Sequence, residues 1–169
     1  MFKFQCARCD EWHEGMPSFG AVAPLYYYAI PAAERTRRCE LTSDTCIVDD
    51  EFFFVRGVIE IPVEGAADPF TWGVWVSWSE ASFYEYARHF ESERHTMLGP
   101  YLGWLSAEFR VYPESENLKT KAHLRGPGER PLIELEPTDH PLAVEQRNGI
   151  TVERVAEIYA AYMHDSAGQ

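Results

Sequence analysis

Between residues 52 and 79 the chain reads FFFVRGVIEIPVEG and then PFTWGVWVSWS, with the loop 64–69 between two runs rich in Val, Ile, Phe and Trp. β-Branched and aromatic side chains suit a pleated surface, and Gly, Asp and Pro punctuate turns, so this stretch predicts a long β-hairpin. Side chains alternate along a strand. Phe53, Val55, Ile59 and Ile61 therefore share one face of the first arm, and Arg56, Val58 and Glu60 share the other. In the second arm Trp72, Val74, Val76 and Trp78 oppose Thr71, Gly73, Trp75 and Ser77. Gly57 and Gly73 inside these arms predict a bulge or a close approach by another element.

The remaining segments are assigned around this hairpin. Phe2 and Phe4 lead into a short knuckle, and a helical turn is expected over 24–28. Pro31 opens an expected surface helix, PAAERTRRCE, in which Glu34 and Arg38 are spaced as an i,i+4 pair. A short strand is expected over 45–48. Ser79 is a candidate cap for a helix that buries Phe83, Tyr86, Ala87 and Phe90. Residues 101–113 are apolar without a clear period. Residues 117–125 alternate strictly and pair across the turn 126–128 with PLIELEP, setting Lys119, Lys121, His123 and Arg125 against Glu134 and Glu136. Two helices close the chain, one capped by Thr138 or Asp139 and stopped at Gly149, the other capped by Thr151. Because the strands come in hairpins, the expected fold class is α+β: a mainly antiparallel sheet with helices covering one face. One domain over 1–164 and a frayed tail over 165–169 complete that expectation.

The formal charge of −12, from 27 acidic against 15 basic residues, is opposite to that of a phosphate-tracking surface. No nucleic acid and no anionic membrane is therefore expected as a partner, whereas a basic protein or a cationic ligand is compatible. The opening residues hold no apolar signal core, and no run approaches the ~18 apolar residues of a membrane span. A cytoplasmic protein with reduced thiols is the expectation. The sequence holds no phosphate-binding Gly loop, nucleophile elbow or His-Glu-x-x-His motif.

The clearest chemical signal is the Cys-x-x-Cys pair Cys6 and Cys9, because two thiolates on one turn reach the same ion. The best ligand set for a structural zinc is Cys6, Cys9, Cys46 and His13, with Cys39 or His140 as substitutes. The plainer reading makes the four cysteines small buried hydrophobes. A polar pocket is a second candidate, drawing on Arg56, Glu60, His123, Glu134, Asp139 and His140. Its plainer counterparts are an exposed sheet face with ladder-like ion pairs and an ordinary helix start at residues 138–141.

The segments that stand out also carry a resemblance. Cys6 and Cys9 with Trp12, His13, Glu14 and Gly15 are one of them, followed by DTCIVD (44–49), FFVRG (53–57), EIPV (60–63) and WGVWVS (72–77). Gly103, Trp104 and Leu105, then RPLIELE (130–136) and PTDHPLAVEQ (137–146), extend it over nearly the whole chain. Together they resemble the bacterial family called domain of unknown function 2199, which brings with it no activity, substrate or catalytic residue. Asp10 stands after Cys9 where the family pattern more often has Gly.

The reading favoured by these residues is a small α+β protein that binds a protein partner without catalysis, stabilised by zinc. One alternative is a hydrolase-like enzyme with a pocket around His140, Asp139, Arg56 and Glu60. The other is a thiol redox protein using Cys6 and Cys9.

Overall fold

The structure, a computed structural model, describes residues 1–164; the expected frayed tail lies outside the described residues. The chain begins with a small antiparallel hairpin of β1 (Lys3–Gln5) and β2 (Trp12–Glu14), followed by β3 (Ser18–Gly20). After α1 (Leu25–Ala29), a 3-10 turn over Ala32–Glu34 runs into α2 (Arg35–Arg38). The expected surface helix is thus cut short. Cys39 and Glu40 leave it to form β4 (Cys39–Leu41), which pairs with β5 (Thr45–Val48). Arg38 holds Glu34 at 3.4 Å, as the spacing predicted, but both of its forks also grip Asp49 at 2.8 Å and fix the turn into that ladder.

The long hairpin consists of β6 (Phe52–Ile61) and β7 (Phe70–Trp78), paired without a break from Phe53 and Trp78 to Ile61 and Phe70. That unbroken register rules out a bulge at Gly57 or Gly73. Both glycines mark close approaches instead. A Cβ on Gly57 would lie 2.6 Å from the Ile133 side chain, and one on Gly20 would lie 2.7 Å from the Gly73 carbonyl oxygen. After the hairpin come α3 (Glu80–Arg88), β8 (Tyr101–Leu105), β9 (Lys119–His123), β10 (Leu132–Leu135), α4 (Pro141–Asn148) and α5 (Val152–Met163). Ser79 and Thr151 cap α3 and α5 through their side-chain oxygens, as expected. In the apolar 101–113 stretch, only the first five residues form a strand.

The α+β composition agrees with the sequence, but the sheet is not a simple stack of hairpins covered on one face. Strands β6 to β10 run as an up-and-down meander and close into a five-stranded barrel, because β10 returns to pair with β6. A meander of odd strand number brings its first and last strands side by side pointing the same way. The closing pair is accordingly parallel, with Leu132 beside Val58 and the Val58 amide donating to the Pro131 carbonyl at 3.0 Å. Closure covers the outer edge of β10, and the free edges of the sheet are β3 and β4. Val55, Ile59, Trp72, Val74, Val76 and Ile133 fill the interior and are essentially inaccessible. The other half of each long arm extends the wall, β6 through β5 and β4, and β7 through the parallel strand β3.

A second, smaller core lies outside the ring, where Trp75 meets Ile30, Cys46, Val48 and Phe54. Alternation puts Trp75 on the polar-looking face of β7, yet it is fully buried, because β5 and α1 cover that face. Helices α3 and α4 pack on β6, and α5 packs on β1. Arg154 of α5 reaches Glu145 of α4 at 2.8 Å, and the Tyr112 hydroxyl donates to the same carboxylate. These contacts tie the last helix to α4, while its own packing lays it against β1 of the N-terminal hairpin.

Candidate metal centre

The knuckle between β1 and β2 is built by its own backbone. The Cys6 amide donates to the Glu11 carbonyl at 2.8 Å, and the Asp10 amide donates to the Cys6 carbonyl at 3.2 Å. Closing so tight a turn requires a left-handed residue, and Asp10 takes that place with φ of 59°. Asp tolerates this conformation better than most residues with a side chain, so the departure from Gly leaves the knuckle intact.

This turn sets the Cys6 and Cys9 sulfurs side by side. Burial pushes the Cys6 thiol up, but the backbone amides of Cys9 and Arg8 and the Cys9 thiol point at it and hold it below the ordinary thiol value. The Glu11 amide favours the Cys9 thiolate, but burial and the adjacent Cys6 outweigh it and raise Cys9. The proton therefore leaves Cys6 first, and a thiolate there is the stronger ligand.

Two imidazoles complete the cluster. His13 projects from β2 opposite Phe4, its ring stacked 5.3 Å from Phe4 and tilted against Tyr159 of α5 at 4.5 Å. The Tyr159 hydroxyl lies 3.4 Å from His13 Nδ1, while His13 Nε2 is buried without a hydrogen-bond partner. His164 sits at the C-terminal cap of α5, and its Nε2 is likewise buried and has no hydrogen-bond partner among the described residues. Donor atoms of Cys6, Cys9 and His164 lie within 4.8 Å of one another, as do those of Cys9, Glu11 and His13. Cys9 belongs to both sets and joins them. Cys6, Cys9, His13 and His164 thus lie close together and could hold a metal ion, with the Glu11 carboxylate beside them.

Two thiolates and two imidazoles are a tetrahedral donor set of the kind zinc takes in structural sites. The surroundings match how such ligands are held. A metal on His13 Nε2 would leave the ring proton on Nδ1, facing the Tyr159 oxygen 3.4 Å away, a partner that would orient the ring.

Cys46 does not join this cluster. It lies on β5 inside the second core, where burial pushes its thiol up to about 12, with Cys39 packed nearby on β4. Among the described residues, the clustered donor groups contain neither of these cysteines nor His140. His164 stands in the position expected of Cys46. No periodicity marks it: two residues past Tyr162, it falls off the apolar stripe of the last helix and sits at the cap where the chain leaves it.

The six expected pocket residues separate into two groups. Glu60, His123 and Glu134 line one cleft of about 720 Å³, and His123 Nε2 lies 3.3 Å from Glu134. Arg56 points elsewhere, over the Trp75 ring and to the Ser43 carbonyl at 3.3 Å. Asp139 is exposed and does not cap α4; His140 does, its Nδ1 accepting from the Leu142 amide at 3.1 Å. Its Nε2–H donates to the Glu114 carbonyl at 2.9 Å, so both ring nitrogens are used in tying a helix start to a loop. Replacing His140 with Ala should therefore lower stability by about 1 kcal/mol, the usual loss for a helix cap. Denaturant titration checks this, and an unchanged midpoint would show that the cap is dispensable.

No curated protein and no solved structure matches the chain in comparison searches. A family model described as an uncharacterized protein conserved in bacteria, DUF2199, matches residues 5–150, which include Cys6, Cys9, Glu11 and His13 and stop short of His164. With most of its length inside that match, the chain belongs to the DUF2199 family.

Proposed function

We propose that the protein is a non-catalytic binding module whose two ends are fastened together by a structural zinc on Cys6, Cys9, His13 and His164. The observation that carries this is the pair of buried Nε2 atoms of His13 and His164, without a hydrogen-bond partner among the described residues, beside two thiols. A buried polar atom without a partner is costly, and a metal ion supplies one for both imidazoles. What the module binds is a protein with a basic surface. The acidic charge supports that partner and opposes phosphate polymers and anionic lipid. Among the described residues no helix is long and apolar enough to cross a membrane.

Placement weighs against the enzyme reading, since His140 and Arg56 are engaged away from the cleft that Glu60 lines. The redox reading lacks its usual setting, because the cysteine pair lies on a hairpin knuckle and not at a strand-to-helix junction. Elemental analysis of the protein purified without chelator tests the zinc reading. One zinc per chain is expected, lost in a Cys6→Ser, Cys9→Ser double variant and kept in Cys46→Ser. Metal-free protein that does not take up added zinc, or zinc retained without both knuckle cysteines, would overturn it.

A further inference from the structure

The barrel has an open seam. Its closing strands pair only at Leu132 and Val58, and beyond that point β6 runs on through Glu60 to Pro62 while β10 continues to Leu135. Between them the backbone of β10 is satisfied by a side chain in place of a strand. Gln146 of α4 accepts from the Leu135 amide at 2.8 Å and donates to the Ile133 carbonyl at 2.7 Å. The far end is pinned where Ile150 pairs with Val63, its amide donating to the Pro62 carbonyl at 2.8 Å. Hydrogen bonds thus hold both walls apart, and the gap is the cleft of about 720 Å³. That volume falls within the roughly 300–1,000 Å³ of small-molecule sites.

We propose that this seam binds a small organic cation, a primary ammonium carried on an apolar body, as a site separate from the metal centre. The walls are apolar: Pro62, Val63 and Ala67 on the loop side face Leu135, Pro137 and Ala143 on the other. The polar rim sets three carboxylates, Glu60, Asp68 and Glu134, against Arg147, Gln146 and His123, whose Nε2 lies 3.3 Å from one oxygen of Glu134. Most of the rim's donors are engaged within the protein. The Gln146 amide serves β10, Arg147 Nη1 donates to the Thr138 carbonyl at 2.8 Å, and the Arg125 guanidinium backs one oxygen of Glu60 at 3.1 Å. Acceptors remain on the second oxygens of Glu60 and Glu134 and on Asp68. An ammonium offers three donors and no acceptor, which suits that remainder. The −12 charge of the whole chain further concentrates cations at the surface.

The test uses three probes with one body and different heads: 2-phenylethylamine, 2-phenylethanol and 3-phenylpropionate. Each is titrated into zinc-supplemented full-length protein and followed by amide chemical shifts. The amine should bind saturably with shifts centred on residues 66–68, 134 and 146–147. The alcohol should bind about tenfold more weakly, as expected for loss of a charged hydrogen bond, and the acid should not bind. Glu134→Gln with Asp68→Asn should weaken the amine by at least about tenfold, and Ala67→Trp, at an exposed position, should block it while both variants keep the wild-type melting midpoint. Equal binding of amine and alcohol, shifts that persist in Ala67→Trp, or saturation only by a basic peptide would each overturn the proposal. No cleft residue is a metal-centre residue, so failure here leaves the zinc reading standing, and the reverse also holds.

Discussion

Adding zinc to chelator-treated protein is expected to raise its melting midpoint by about 10 °C. A ligand that binds only the folded state at roughly a thousand times its dissociation constant adds about 4 kcal/mol, and each kcal/mol moves the midpoint of a chain this size by roughly 2–4 °C. The gain falls short of the full binding energy because unfolded cysteines and histidines also hold metal. It should also be local. The barrel core buries Trp72, Val74 and Val76 without help from the metal, so the metal-free protein stays folded. What it loses is the clasp between the 3–14 hairpin and the end of α5. Amide exchange should accelerate in that hairpin on chelation while β6 and β7 stay protected. His164→Ala should reproduce most of the effect, and a midpoint indifferent to zinc in the wild-type chain would remove the clasp from the account.

Gly57→Val is expected to be the most damaging single substitution at the seam, costing about 3 kcal/mol or failing to fold. A Cβ there would lie 2.6 Å from Ile133 Cγ1 and 3.0 Å from the Pro131 carbonyl oxygen, the atom that accepts the closing hydrogen bond from Val58. Valine adds two further methyls against the same wall. The side chain of Ile133 is able to shift, but the Pro131 backbone moves only if β10 leaves β6. Gly57→Ala should therefore be milder, because a lone Cβ asks the Ile133 side chain to move aside and the Pro131 carbonyl to give only slightly. Equilibrium denaturation of both variants decides the matter. A Gly57→Val protein as stable as wild type would mean that β10 does not lie against β6 as described.

Much of the local structure was legible because it depends on neighbours along the chain. The period of two in 117–125 gave β9, the Ser79 and Thr151 caps fixed the starts of α3 and α5, and the Cys-x-x-Cys pair with His13 marked three of the four clustered side chains that could hold a metal. Errors arose where a distant segment competes. Residues 39–40 join a ladder with 47–48 and leave their helix, and His140 caps a helix for which Asp139 was the better cap by type.

The sequence by itself determined the long hairpin, β5, β9 and β10, the capped helices α3 and α5, the acidic charge and the knuckle, since each follows from residue type and spacing over a few positions. Only the tertiary structure decided that the sheet closes on a parallel pair, that His164 and not Cys46 meets the knuckle, and that Glu60 and Glu134 share a cleft. Those outcomes depend on which faces remain to be covered once the hairpins have curled, and packing between segments far apart in the chain settles that.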